Sequence, residues 1–196
     1  IGGSDYLAGS GGTGYSGGGT DVTLLRLRQE PPAGLTRLGW TTDVPPDGAP
    51  VTCIHHPRGE FKRISYGGLN QTGSPQPALY HRVIWNQGPT EPGSSGSPLF
   101  FSGTAQIIGQ LWGGTASCSQ PLEPDYYGRF DKSYEVIGSY LIPPTVSFSG
   151  TGTALPERGS TQIYVQLSRA SALPRQVALV QAGGDALPGV HYQPLP

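Results

Sequence analysis

The run Thr90-Glu91-Pro92-Gly93-Ser94-Ser95-Gly96-Ser97-Pro98 packs hydroxyls and glycines between two prolines, directly ahead of the apolar Leu99-Phe100-Phe101. Gly/Ser runs are the usual composition of flexible linkers. Here the flanking prolines stiffen the run, and the apolar residues behind it read as a buried strand. A serine so placed is a candidate nucleophile, provided a base takes its proton and preorganised donors meet the developing oxyanion. Backbone N–H groups supply such donors best where glycine lets the chain turn tightly. Ser95 has Gly93 two places before it and Gly96 directly after it. The hydrolase elbow G-x-S-x-G does not fit, because Ser97 stands where a glycine is needed and a strand, not a helix, follows. The remaining chemistry-bearing residues are few. The four histidines are His55, His56, His81 and His191. His55 and His56 are neighbours on a predicted strand and point to opposite faces, so they cannot act as one unit or chelate one metal. Cys53 and Cys118 permit one disulfide with each other or two bridges to partners outside the chain.

The elements that must hold these residues read as β-strands. Asp21–Leu27 (DVTLLRL) is a compact strand. APVTCIHHP and FKRISYG are two more, separated by a turn at Pro57-Arg58-Gly59. LYHRVIWN alternates around Tyr80, Val83 and Trp85, and SPLFF and AQIIGQLWGG form a hairpin across SGT. YYGRF leads into DKSYEVIGSYLI, where Tyr134, Ile137 and Leu141 share one helical face. Residues 1–20 read as irregular loop with at most one short strand. Short strands at regular spacing predict an all-β barrel or sandwich. Pro143-Pro144 marks a boundary, and the alternating runs Ile163–Leu167 and Val177–Val180 beyond it predict the beginning of a second β-domain.

Bulk composition narrows the function. The chain has 196 residues with 12 Lys+Arg against 13 Asp+Glu, so no electrostatic case exists for a nucleic-acid or membrane-surface partner. Its 31 glycines and 20 prolines fit a turn-rich β-protein, and 3 Trp, 10 Tyr and 5 Phe are enough to line a core. No stretch approaches the about 20 apolar residues of a membrane span. The absence of methionine and the ending at HYQPLP predict a piece of a longer protein.

The pieces DVTLLRL, Gly39-Trp40, IHHPRGEFKRIS, TEPGSSGSPLF, IIGQLWGG, SCS and DYYGRF occur in the order found in bacterial trypsin-like serine endopeptidases. Over roughly residues 20–140 the chain resembles the C-terminal half of such an enzyme of the lysyl endopeptidase type, whose nucleophile lies in a G-x-S-G-x-P turn ahead of a strand. The resemblance implies the second six-stranded barrel of a chymotrypsin-like protease with a C-terminal helix, the first barrel being largely absent. It implies Ser95 as nucleophile, with the Gly93 and Ser95 N–H groups as oxyanion hole, and Asp21 as the buried aspartate that orients the catalytic histidine. Trp112, Gly113 and Gly114 correspond to the edge that pairs with substrate, with Trp112 over the pocket. Asp125 corresponds to the pocket carboxylate that selects basic side chains; the position six residues before the nucleophile, which carries the acid in many trypsin-like enzymes, is Pro89. Lysine and arginine are not separated at this level. The histidine of the family precedes the aspartate, and no histidine precedes Asp21, so base and first barrel are expected upstream and the fragment alone is expected to be inactive. The family's counterpart of Cys118 bridges to a cysteine near the mature N-terminus, and Cys53 has no counterpart. A secreted bacterial protein acting on peptides, without metal or cofactor, is the expectation.

Residues 143–196 resemble the opening strands of a Calx-β domain, through Val146–Phe148, Glu157 before a Gly/Ser turn, and Gly189–Pro194. His191 replaces the usual acidic residue, which argues against a working calcium site. The domain boundaries expected are therefore 1–142, the protease portion, and 143–196, an incomplete β-sandwich. Two other readings stand beside this one: an inactive protease-like binding module, and a glutamyl endopeptidase, which would recognise a carboxylate with a histidine.

Overall fold

The computed structural model describes residues 2–11, 18–142, 144–149 and 164–168. The chain divides into two compact units, Ile1–Pro143 and Pro144–Pro196. In the first unit, strand β1 (Ser4–Ser10) pairs antiparallel with β2 (Val22–Leu27) as a two-stranded sheet. The Gly/Ser-rich composition of residues 1–20 hid β1 as a full-length strand, because its signal is the partner it finds in β2 rather than an apolar alternation of its own.

Six strands then close a barrel. They are β3 (Pro50–His55), β4 (Arg63–Leu69), β5 (Tyr80–Gln87), β6 (Pro98–Phe101), β7 (Gln106–Gly114) and β8 (Asp125–Arg129), in the order β3-β4-β5-β8-β7-β6 with every pairing antiparallel. This is the expected all-β barrel, and closure removes the free edges that an open sheet would expose. Side chains alternate as a pleat requires: on β3, Val51, Cys53 and His55 are buried while Thr52 and Ile54 face outward. Val51, Cys53, Leu69, Val83, Trp85, Leu99, Ile108, Leu111 and Tyr127 fill the interior.

Helix α1 (Phe130–Leu141) follows β8 directly. Asp131 in its first turn receives two guanidinium hydrogen bonds from Arg129, at 3.0 and 2.8 Å. Ile137 is buried, with Tyr134 and Leu141 packed alongside, on the helical face expected from their spacing. Together with Phe130 they form a second cluster with Val22 and Leu24 of the β1–β2 hairpin, and Trp40 stacks near Phe130 and Tyr134 at 5.4 and 5.2 Å. The helix thereby fastens the hairpin to the outside of the barrel. In the second unit, β9 (Val146–Ser149) pairs antiparallel with β10 (Tyr164–Leu167). Glu157, Val177–Val180, His191 and Gly189–Pro194 lie outside the described residues.

Candidate active site

The turn that carries Ser95 is built from glycine geometry and stitched to β7 and to the segment after β3. Gly93 and Gly96 adopt φ of 95° and 79°, the left-handed region that a side chain resists. A Cβ on Gly93 would lie 3.1 Å from the Arg58 nitrogen, so a side chain there would press on the Arg58 backbone as well as strain the conformation. Arg58 N–H donates to the Pro92 carbonyl at 2.7 Å, Ser94 N–H to Glu91 O at 3.0 Å and Ser97 N–H to Ser94 O at 3.1 Å. Gly96 N–H donates to Leu111 O and Leu111 N–H to Ser97 O, at 2.8 and 2.9 Å, which fixes the turn on β7. Among the described residues, neither the Gly93 nor the Ser95 N–H is taken by a backbone acceptor. Ser95 itself is exposed, whereas Ser94 is buried.

Ser95 lines a cavity of about 370 Å³ together with Arg58, Thr90, Leu111, Gly113, Gly114 and Asp125. Asp125 is almost fully buried, at 1% exposure. Its Oδ2 accepts hydrogen bonds from Trp85 Nε1 at 2.7 Å and from the Thr90 hydroxyl at 2.6 Å. Burial nonetheless raises its carboxyl above the ordinary aspartate range, with the Thr90 and Trp85 bonds pulling the other way. A Cβ on Gly114 would run into the Asp125 carboxylate and the Pro124 carbonyl, so this part of β7 must be glycine.

One wall of the cavity is clamped by Glu91. Its Oε2 takes two hydrogen bonds from Arg58, at 2.9 and 2.7 Å, and its Oε1 takes the Cys118 N–H at 2.8 Å. The Cys118 amide, followed by Arg58, holds the Glu91 carboxyl down at about 2. Both cysteines are free, Cys53 buried and Cys118 exposed, so they are not bridged to each other. The β7–β8 register shifts between Leu111 and Gly113, leaving Trp112 as the extra residue of a bulge, and it packs on Tyr80 and Tyr126 with centroids at 5.7 and 6.5 Å.

Asp21 directly precedes β2 with φ of 57°, a conformation aspartate tolerates better than most residues. It is exposed rather than buried, beside a sheet of only two strands. Its position is nevertheless fixed by its neighbours. Thr20 is buried, bonds Ser133 of α1 at 2.8 Å and accepts Gln110 Nε2 on its carbonyl at 2.7 Å. The Tyr80 hydroxyl donates to Gly19 O at 2.7 Å. Asp21 and Ser95 are thus tethered to adjacent residues of β7, through Gln110 and Leu111 respectively.

No described histidine is bonded to Ser95. His55 is buried with Nδ1 against Ser94 and Nε2 against Ser65, His81 contacts Gln71 and is held near 4 by burial, and exposed His56 bonds Glu60 O. Among the described residues no group of three or more His, Cys, Asp or Glu side chains could hold a metal ion, and no helix is long and apolar enough to cross a membrane. Trp85, Thr90, Glu91 and His55 were not singled out as site residues from the sequence, and each contributes through a partner at least 27 residues away.

A closed antiparallel barrel presenting a serine turn beside such a cleft defines the C-terminal domain of a serine protease of the trypsin-like class. Residues 4–128 match the family described as the C-terminal domain of lysyl endopeptidase, and the chain belongs to that family. It is 35% identical over 130 residues to the lysyl endopeptidase of Pseudomonas aeruginosa, covering 63% of this chain and 28% of that relative's length. Among solved structures it is similar to kallikrein-related peptidase 10, at 17% identity and a TM-score of 0.49 over 62% of this chain and 63% of that one. It is also similar to the active form of the Rv3671c protease from M. tuberculosis, at 19% identity and a TM-score of 0.45 over 61% and 53%.

Proposed function

We propose that the protein is a serine endopeptidase that cuts after basic residues through an acyl-enzyme on Ser95. The observation that carries this reading is one cavity bordered by both Ser95 and the buried carboxylate of Asp125. Burying a lone carboxylate is costly, and a substrate ammonium entering the cavity offsets that cost while satisfying its own charge. A carboxylate side chain would be repelled there, which argues against glutamyl specificity. Oδ2 already serves Trp85 and Thr90, so a single ammonium on the other oxygen disturbs less than a guanidinium fork spanning both. Lysine is therefore preferred over arginine.

The scissile carbonyl sits over Ser95, and the free N–H groups of Gly93 and Ser95 receive the oxyanion. Asp21 orients a histidine supplied from outside this chain, since every described histidine has other partners. Thr20, Gln110 and Ser133 keep Asp21 in place for that contact. Gly113 and Gly114 lie along the cleft as the strip that pairs with the substrate backbone, with Trp112 supporting it from behind. Residues 1–142 form the protease portion and 143–196 the start of a Calx-β-like sandwich, for which the β9–β10 ladder is the support. The protein is secreted, and the fragment by itself lacks turnover.

The test uses full-length protein and matched peptide substrates ending in Lys, Arg, Glu or Leu at the cleaved position. Cleavage after Lys, then Arg, with Asp125→Asn lowering kcat/KM for Lys by about 10⁴-fold, is the expected result. Preferential cleavage after Glu, or an unchanged Lys preference in the variant, would overturn the assignment. No cleavage of any peptide by a folded full-length protein would favour the binding-module reading.

A further inference from the structure

His55 is the most buried histidine next to the nucleophile turn that the chemistry above leaves unused. It lies 2% exposed at the end of β3, and both of its ring nitrogens are engaged by serine hydroxyls. Nδ1 is 2.7 Å from Ser94 Oγ and Nε2 is 2.9 Å from Ser65 Oγ on β4. Ser94, 1% exposed, is the pivot of the turn: its N–H reaches Glu91 O, its carbonyl takes Ser97 N–H, and its Oγ lies 3.4 Å from Glu91 N–H. A continuous hydrogen-bonded row thus runs from the barrel wall, through one imidazole, to the residue immediately before Ser95.

We propose that His55 is a positioning residue for the oxyanion hole, acting on the Gly93 and Ser95 amides by fixing the Ser94 hydroxyl. This inference rests on Ser95 being the nucleophile. A neutral imidazole has one donor and one acceptor nitrogen. The Glu91 N–H points to Ser94 Oγ, so the hydroxyl is free to give its own proton to Nδ1, and Nε2–H then donates to Ser65. A protonated ring would donate from both nitrogens, forcing the Ser94 hydrogen away from His55 and slackening the turn. Burial lowers the pKa of His55, which keeps the ring in its neutral form; Asp125 opposes this and His56 adds to it. The other charged groups facing it across a shared cavity of about 520 Å³ are Arg58, Glu60, Arg63 and Glu91, with Cys118 on the same wall. Oxyanion donors contribute to the rate only when held in place before the charge develops. Slackening is accordingly expressed in kcat and leaves the Asp125 cavity able to bind a basic side chain.

The experiment compares Ser94→Ala, His55→Phe, His55→Asn, the double variant His55→Phe/Ser94→Ala and Ser95→Ala in the full-length protein. Readouts are kcat and KM on a lysyl peptide, affinity for a peptide aldehyde that forms an oxyanion, and affinity for a simple alkylamine. Expected are a kcat loss of 10-fold or more in Ser94→Ala and His55→Phe with KM within about twofold, and a parallel loss in aldehyde affinity with alkylamine affinity kept. The double variant should be no worse than the poorer single, and His55→Asn, which retains an acceptor near the Nδ1 position, should recover part of the rate. Retained alkylamine affinity shows that each variant is folded. If His55→Phe does not fold, Ser94→Ala and His55→Asn carry the same comparison. A kcat within threefold of the parent in Ser94→Ala, or equal losses of aldehyde and alkylamine affinity, would overturn the proposal. Retained hydrolysis by Ser95→Ala would instead overturn the protease reading itself.

Discussion

The two residues proposed for the catalytic triad, Ser95 beside the barrel and Asp21 at the start of the β1–β2 hairpin, are held by different means. Ser95 leaves a turn whose backbone is bonded to β7 and to the segment after β3, and Asp125 sits inside a closed sheet with two side-chain donors on one oxygen. Asp21 directly precedes a two-stranded sheet whose outer face leaves Tyr6, Leu25 and Leu27 at 66%, 50% and 50% exposure. An isolated two-stranded ribbon is marginal in water, and this one is stabilised chiefly by the Val22, Phe130 and Ile137 cluster beneath it. A closed sheet can preorganise a polar site unaided. The hairpin fixes a backbone position and leaves its carboxylate facing outward.

Four measurements sharpen or break this contrast. The largest effect belongs to the barrel: Ser95→Ala in the full-length protein should cost about 10⁶-fold in kcat, read by initial rates on a lysyl peptide. Asp21→Asn should cost about 10⁴-fold in kcat with little change in thermal midpoint, because an exposed carboxylate contributes to orientation rather than to folding. A large drop in midpoint would mean that Asp21 belongs to the folded core after all. Leu99→Ala, in the barrel interior, should lower unfolding free energy by about 2–5 kcal/mol, whereas Leu25→Ala on the hairpin should change that of this chain by about 0.5 kcal/mol or less, both by urea titration. Equal effects would erase the distinction. The smallest effect is on pH dependence. The free Asp125 carboxyl titrates above the ordinary 3.8, so KM for lysyl peptides should climb as pH falls through that raised value and should do so before an exposed aspartate would titrate. A KM that stays level as pH falls to the ordinary aspartate value would show that Asp125 does not meet the substrate.

The strands of the barrel and the helix were legible in the sequence because each carries its own alternation or helical face, as in Val51-Cys53-His55 and Tyr134-Ile137-Leu141. The turn of Gly93 and Ser95 carries a local glycine and proline signature, whereas Asp125 was reached only through the resemblance. What stayed hidden depends on distant pairing. Ser4–Ser10 becomes a strand only against β2, Trp112 becomes the extra residue of a bulge only where β7 meets β8, and Trp85 and Thr90 gain their contacts from a carboxylate 40 and 35 residues away. His55 reads as a strand histidine until Ser94 is seen beside it. Asp21 was expected to be buried from resemblance, and its exposure follows from the single layer on which it lies.

The Glu91 clamp has a consequence for life in acid. Its carboxyl, held near 2 by the Cys118 amide and by Arg58, contributes stability that is complete above its ordinary 4.5 and fades only as pH drops from there through about 2. Asp125 takes up its proton well before that. If Asp125 meets the substrate as proposed, acid should cost lysine recognition before it loosens this clamp, and neutralisation alone should restore it.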